Sequence, residues 1–476
     1  MRLFKSWHGL VAAGAITLMA TPALANEPTS KEQEMEQRIA ELEAQLESVM
    51  TQMQTNSTSQ TTLESQIAEL QTSMADGDNG LSAYWKNGIR MDSADKNFKF
   101  KIGGRIQNDY AFFDANSDAD DFYGSDEFNT GTEFRRARLY IAGTIYGNVG
   151  FKAEYDFAGG DADFKDVYIR TAVPFGTLTV GHQFQPFGLE EQTSSKYITF
   201  MERGLGSSTS PGRDTGVRID HNWLPEGMRL SNGIFRTADS FGDDSPPNGA
   251  GEWAMGLRLS GDVMTEEEDD MLLAVGGSIN QRKEKEQTNS VGLDDNLGMF
   301  RSRGGQHLGT YFIDTGMFAV DDDTLTFGLD AAWSMGQWHA QGEWSRANYS
   351  TKVGSDVDID VYSVQVGYFL TGENRAWDAK KGNWGRTSPL NNYGDDSGDC
   401  QGAWEVAARY GSLDATDGSL RGGEIEQWTL GVNWYLNPNT RVMFNYVMSE
   451  VSRLNDGGIG YDPEVDTFQM RFQIDF

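Results

Sequence analysis

Lysine and arginine recur at every second position along several stretches of this chain. KFKIGGR carries Lys99, Lys101 and Arg105, FRRARLY carries Arg136 and Arg138, and FKAEYDF, DFKDVYIR and GVRIDH add Lys152, Arg170 and Arg218. A period of two places side chains on one face of a β-strand. These bases therefore share a polar face, joined by Arg258 and Arg409. Asp109, Glu154, Asp156, Asp166, Asp220, Glu343 and Glu405 fall on the same face, so the wall is mixed, with an arginine excess in its first half. Two roles fit such a wall: ordinary lining of an aqueous channel, or a specific site for anions. Bond-making chemistry is not indicated. The five histidines, at 8, 182, 221, 307 and 339, are scattered. There is no His/Cys metal spacing, nucleophile motif or glycine-rich phosphate loop, and no Ser/His pairing of the kind a barrel phospholipase needs. No enzyme activity, cofactor or metal is expected.

The elements that position these residues are strands whose other face is apolar. In FKAEYDF, Phe151, Ala153, Tyr155 and Phe157 oppose Lys152, Glu154 and Asp156, and Ala137, Leu139 and Ile141 oppose Arg136, Arg138 and Tyr140. The ends of the chain decide which face is outside. Residues 1–25 have a basic start with Arg2 and Lys5, the apolar run LVAAGAITLMA and a small-residue exit at Ala23 and Ala25, the layout of a cleaved export signal. No later stretch reaches the roughly 18 apolar residues of a membrane helix. At the other end, TFQMRFQIDF alternates strictly and closes on Phe476, like the last strand of a bacterial outer-membrane barrel. With 55 Gly, 12% aromatic residues and mean hydropathy -0.53, composition suits a barrel that is polar on half of every strand. We count sixteen strands across 97–476, an even number that puts both ends on the periplasmic side. Loop 184–212 is expected to fold into the lumen, and 306–315 is expected to be loop. Sixteen strands is a size that leaves an aqueous channel.

Ahead of the barrel, 26–75 reads as a periplasmic α-helical coiled coil, with 76–96 as linker. Met35, Ile39, Leu42, Leu46, Val49, Met53, Asn56, Gln60, Leu63, Ile67, Leu70 and Met74 keep a heptad without a slip. So narrow a stripe must pair with copies of itself or with a partner. The net charge of -32 argues against nucleic acid binding, which needs a basic surface. Much of it lies in acidic turns such as DANSDADDFYGSDE and TEEEDD, read as solubilising loops ahead of divalent-cation sites. A lone Cys400 excludes an internal disulfide framework.

From Phe98 to Phe476 the chain resembles the phosphate-selective outer-membrane porins. The resemblance rests on GGRIQNDY, EFRRARLYIAGTIY, DFKDVYI, FGLEEQTSSKYITFMERG, LTGENR, AWEVAARY and LGVNWYLN. It implies a constriction built from Arg105, Arg135, Arg136, Asp166, Ser195 and Lys196, with Lys99, Lys101, Arg138, Lys152, Arg170, Arg218, Arg301 and Arg303 lining the pore. Forked guanidinium donors, a lysine point charge and a serine hydroxyl suit tetrahedral oxyanions. The implied function is passive diffusion of small hydrophilic solutes, with preference for anions such as phosphate; a general or cation-preferring porin on the same fold is the alternative. The expected setting is the bacterial outer membrane, against its lipid, as a homotrimer, with peptidoglycan or a periplasmic partner as candidates for the coil. Two features depart from the family pattern: Glu191 stands where a lysine is usual, and the alternating arginines after the ninth strand are reduced to Arg301 and Arg303. Arg135 and Arg136 are adjacent, so both can face inward only if Arg135 sits at a strand end or in a β-bulge.

Overall fold

The computed structural model describes residues 37–55, 65 and 80–476, except 238–239, 244–252, 267–269, 285, 289–293, 353–354, 396–400, 419 and 456–457. The expected export signal, Met35 and the whole second half of the heptad stripe from Asn56 to Met74, and Cys400 lie outside the described residues. The chain divides into two compact units, Met1–Asp78 and Asn79–Phe476. In the first, 37–55 is helical. Its stripe is uncovered in the single chain, from 52% exposure at Ile39 to 69% at Met53.

The second unit contains sixteen long strands: β1 (Lys99–Ala115), β2 (Gly131–Ile145), β3 (Val149–Asp156), β4 (Asp163–Val173), β5 (Gly176–Phe184), β6 (Arg213–His221), β7 (Met228–Arg236), β8 (Trp253–Glu266), β9 (Met271–Lys283), β10 (Ile313–Met335), β11 (Trp338–Thr351), β12 (Val357–Phe369), β13 (Ala403–Asp417), β14 (Leu420–Asn437), β15 (Thr440–Leu454) and β16 (Glu464–Asp475). Each pairs antiparallel with the next. β16 then returns to β1, in register from Val465 opposite Ala115 to Asp475 opposite Arg105. The result is a closed sixteen-stranded antiparallel barrel. Closure leaves no open edge, so backbone groups are satisfied within the ladder, the condition for crossing lipid with strands.

β16 shows which side is wet. Thr467, Gln469, Arg471, Gln473 and Asp475 are at most 4% exposed, whereas Phe468, Phe472 and Ile474 are more than 40% exposed. Polar side chains fill the interior and aromatic ones face outward, the reverse of a soluble core. Connections at one end are short, as at 146–148, 174–175, 336–337 and 438–439. In the first of these, Tyr146 and Gly147 both take positive φ, 49° and 72°, as a tight hairpin turn with right-handed strand twist requires. Longer loops leave the other end, the extracellular one in outer-membrane barrels.

The structure differs from the sequence reading in three places. The 76–96 linker holds a hairpin, Leu81–Trp85 against Ile89–Ser93, whose second strand pairs with β1. Asn87 and Gly88 supply its positive-φ turn; Asn-Gly between two strands is a strong hairpin signal that the pattern reading passed over. Residues 306–312 are loop as expected, but β10 starts at Ile313, and its first residues pair with the loop strand Asp294–Ser302. Finally, near the loop end the polar-inside rule reverses. Val357, Ile359, Val361, Leu413, Ile425, Val451 and Val465 point inward, buried against Phe300, Phe312 and Leu205 of inserted loops and Ile313 at the start of β10. Inward positions there serve as a core for loops, so they are apolar.

Candidate functional site

Besides the segment that carries Phe300 and Phe312, two loops enter the lumen, from opposite ends. Loop 185–212 crosses it, with Phe187, Leu189, Ile198, Phe200, Met201 and Leu205 each at most 2% exposed. Wall side chains hold its backbone. The Gly188 N–H donates to Ser278 Oγ (3.1 Å), and Glu343 accepts from the N–H groups of Leu189 (2.5 Å) and Glu190 (2.7 Å). Its carbonyls accept from Ser345 at Gly206 (3.0 Å), Arg409 at Glu202 (2.9 Å), Asn433 at Thr199 (2.8 Å) and Arg441 at Ile198 (2.9 Å). Part of the lumen's polar set is therefore structural. Arg258 is likewise held in the wall by Asp330.

The second loop, 370–402, enters from the turn end, where a short connection is the rule. Arg375 donates to His339 Nδ1 (3.1 Å) and to the Tyr197 carbonyl (3.2 Å), and its guanidinium lies 4.3 Å from the Trp384 ring centroid. Trp384 is 1% exposed and donates to Gln341 (2.7 Å), and Asn383 donates to the Gln192 carbonyl (2.7 Å). Arg386 pairs with Asp475 of β16. The two loops thus meet each other as well as the wall.

Between them and β1–β6 lies a cavity of about 220 Å³. Seven bases line it, Arg105, Arg136, Arg138, Lys152, Arg203, Arg213 and Lys381, against three acids, Glu154, Asp166 and Asp378. Most of the bases have fixed partners. Arg105 donates to Ser195 Oγ (2.6 Å) and pairs with Glu154 (3.3 Å); Arg138 pairs with Asp156 (2.7 Å); Lys152 reaches Glu154 (2.5 Å) and Asp166 (2.6 Å); Arg213 pairs with Asp166 (2.7 Å). Arg136 donates to Gln107 (2.8 Å) and keeps a buried Nε without a partner among the described residues. Burial works against the charged form of Asp378, but the hydrogen bond and charge of Lys381 hold its carboxyl below the usual carboxylate range.

The structure places a β-bulge at Arg135. Gln107 faces Arg136 while the next residue, Asn108, faces Phe134, which leaves Arg135 as the extra residue. Both arginines consequently reach Glu202: Arg135 through two bonds (2.9 and 3.0 Å), Arg136 at 3.5 Å. Arg471 closes the cluster on Glu202 (2.6 Å) and Asp109 (2.6 Å).

The expected site residues separate. Arg105, Arg136, Asp166 and Ser195 share the cavity with Arg138 and Lys152, and Arg135 lies behind it on Glu202. Lys196 does not line it: its Nζ is 3.2 Å from Asp475. Glu191 pairs with Arg203 (3.1 Å). Lys101 lies 5.2 Å from the Tyr140 ring, Lys99 and Arg170 are exposed, and Arg218 donates to Gln192 (3.1 Å) of the inserted loop. Arg301 is paired to Asp314 (2.9 Å) within a loop hairpin, and Arg303 donates to the His307 carbonyl, so neither lines this cavity. Arg375, Arg386, Arg441 and Arg471, all in the second half of the chain, offset the expected first-half excess. Arg441 and Arg471 carry the inward parity of their strands and were legible on that basis. The members of 370–402 sit on no periodic element and gave no such signal.

A closed barrel with a polar interior, narrowed by inserted loops, defines an outer-membrane diffusion channel. Residues 100–476 match the model of the family described as phosphate-selective porin O and P, and the chain belongs to that family. It is 27% identical to Porin O of Pseudomonas aeruginosa over 431 residues, covering 82% of this chain and 91% of that one. Among solved structures it is similar to OmpT of Vibrio cholerae (12% identity, TM-score 0.48, 80% of this chain and 99% of that one). It is also similar to the outer-membrane channel DcaP of Acinetobacter baumannii (13% identity, TM-score 0.46, 80% and 99%).

Proposed function

We propose that this outer-membrane porin prefers anions and passes phosphate and similar small oxyanions down their gradient. The observation that carries the reading is the excess of bases lining the cavity, seven against three acids. Charges beyond about 8 Å are largely screened at physiological salt. The acidic loops that dominate the net charge therefore count for little at this narrow site, and the local guanidiniums set the field. Arg136 adds to that field at close range: its guanidinium is buried in the cavity wall, its Nε has no partner among the described residues, and a forked donor suits an oxyanion. The channel functions as a homotrimer in this reading, in keeping with the uncovered helix stripe.

The test is the reversal potential of single channels in a salt gradient. Wild type is expected to be anion-selective, and Arg136→Ala to move the potential toward zero. Cation preference in the wild type, with Arg136→Ala unchanged, would establish the general-porin alternative.

A further inference from the structure

We propose that Lys381, carried into the lumen by the 370–402 loop, is the specificity-determining cation of the constriction, in the role that family resemblance assigned to Lys196. The inference rests on the anion-passing reading above. Among the seven bases lining the cavity, six are tied into the wall or the 185–212 loop, with side-chain exposures from 4% at Arg136 to 21% at Arg203. The Lys381 side chain is 71% exposed, and among the described residues its ion pair is with Asp378 of its own turn (2.6 Å). Exposed ion pairs of this kind are weak and readily exchanged. A passing anion can displace Asp378 from Lys381, whereas the buried pairs leave little freedom to the other six.

The turn that presents Lys381 is held firmly. Asp378 accepts from the N–H groups of Lys380 (3.2 Å) and Lys381 (3.3 Å), and its carbonyl accepts from Lys381 (3.0 Å) and Gly382 (2.8 Å). Trp377 and Trp384 pair across the turn's base with ring centroids 5.1 Å apart. Asn383 fastens the turn to the opposing loop. Lys196, by contrast, is 11% exposed and pinned to Asp475 away from the cavity.

The test compares Lys381→Gln, Asp378→Asn and Lys196→Gln by reversal potential, on preparations whose barrels show normal heat-modifiable gel migration. Lys381→Gln is expected to lower the anion-to-cation permeability ratio by about twofold or more, as loss of an exposed charge within a narrow site implies. Asp378→Asn releases the ammonium and is expected to raise the ratio. Lys196→Gln is expected to change it least. A merely structural turn would shift Lys381→Gln and Asp378→Asn in the same direction, and that result would overturn the inference. Anion preference that survives Lys381→Gln unaltered would overturn it while leaving the proposed function standing. Cation preference in the wild type would overturn both.

Discussion

Glu202 is the residue on which three arginines beside the cavity converge. Arg135, Arg136 and Arg471 all reach it, and Asp109 is the other acid of the group. Glu202→Gln would leave three guanidiniums with one carboxylate in a buried setting, where breaking a charge pair costs about 3–5 kcal/mol. Two effects are expected: a lower heat-modification temperature of the barrel, read by gel shift, and a stronger anion preference, read by reversal potential. Glu191→Lys should also increase anion preference, though not through Lys196. Glu191 is the carboxylate partner of Arg203, so the substitution exposes that guanidinium to the cavity. If its reversal potential matches wild type, Arg203 does not act on the permeating ion.

At the scale of the element, the 185–212 loop occupies the lumen, and its fit depends on close backbone approach. A Cβ at Gly206 would lie 2.7 Å from Ser363 Oγ, 2.8 Å from the Glu343 carbonyl and 2.9 Å from the Ser363 nitrogen. Two of these contacts are backbone atoms of β11 and β12, which cannot turn aside. Gly206→Ala is therefore expected to destabilise the seated loop by about 1–3 kcal/mol, the usual penalty for overpacking. The readout is single-channel current, in which larger and noisier openings should appear. Quiet openings of wild-type size would mean that the wall yields instead.

For the whole molecule, the uncovered stripe of helix 37–55 motivates the proposed homotrimer. Leu42 and Leu46 are 60% and 64% exposed in the single chain, and such a seam gains stability only against another helix. Replacing both with Asp is expected to shift the detergent-solubilised protein toward monomers in mass measurements while barrel migration on gels stays normal. An unchanged oligomer would place the self-association in the barrel wall.

Much of this protein is determined by its sequence alone. Alternation with period two marks the strands, their polar and apolar faces and, with the terminal aromatic strand, the closed sixteen-stranded barrel; the same parity brings Arg105, Arg136, Arg138 and Lys152 to one wall. The adjacency of Arg135 and Arg136 even required an irregularity, and the structure has a bulge there. Tertiary structure alone decided which charges meet. The insertion of 370–402, the pairing of Glu191 with Arg203, the diversion of Lys196 to Asp475 and the apolar packing at the loop end all depend on contacts between residues far apart in the chain. The physical reason is that a strand's register repeats its constraint every two residues, so the pattern is written locally. A loop has no such period, and its place in the lumen is set by the shape and charge of walls built from distant strands.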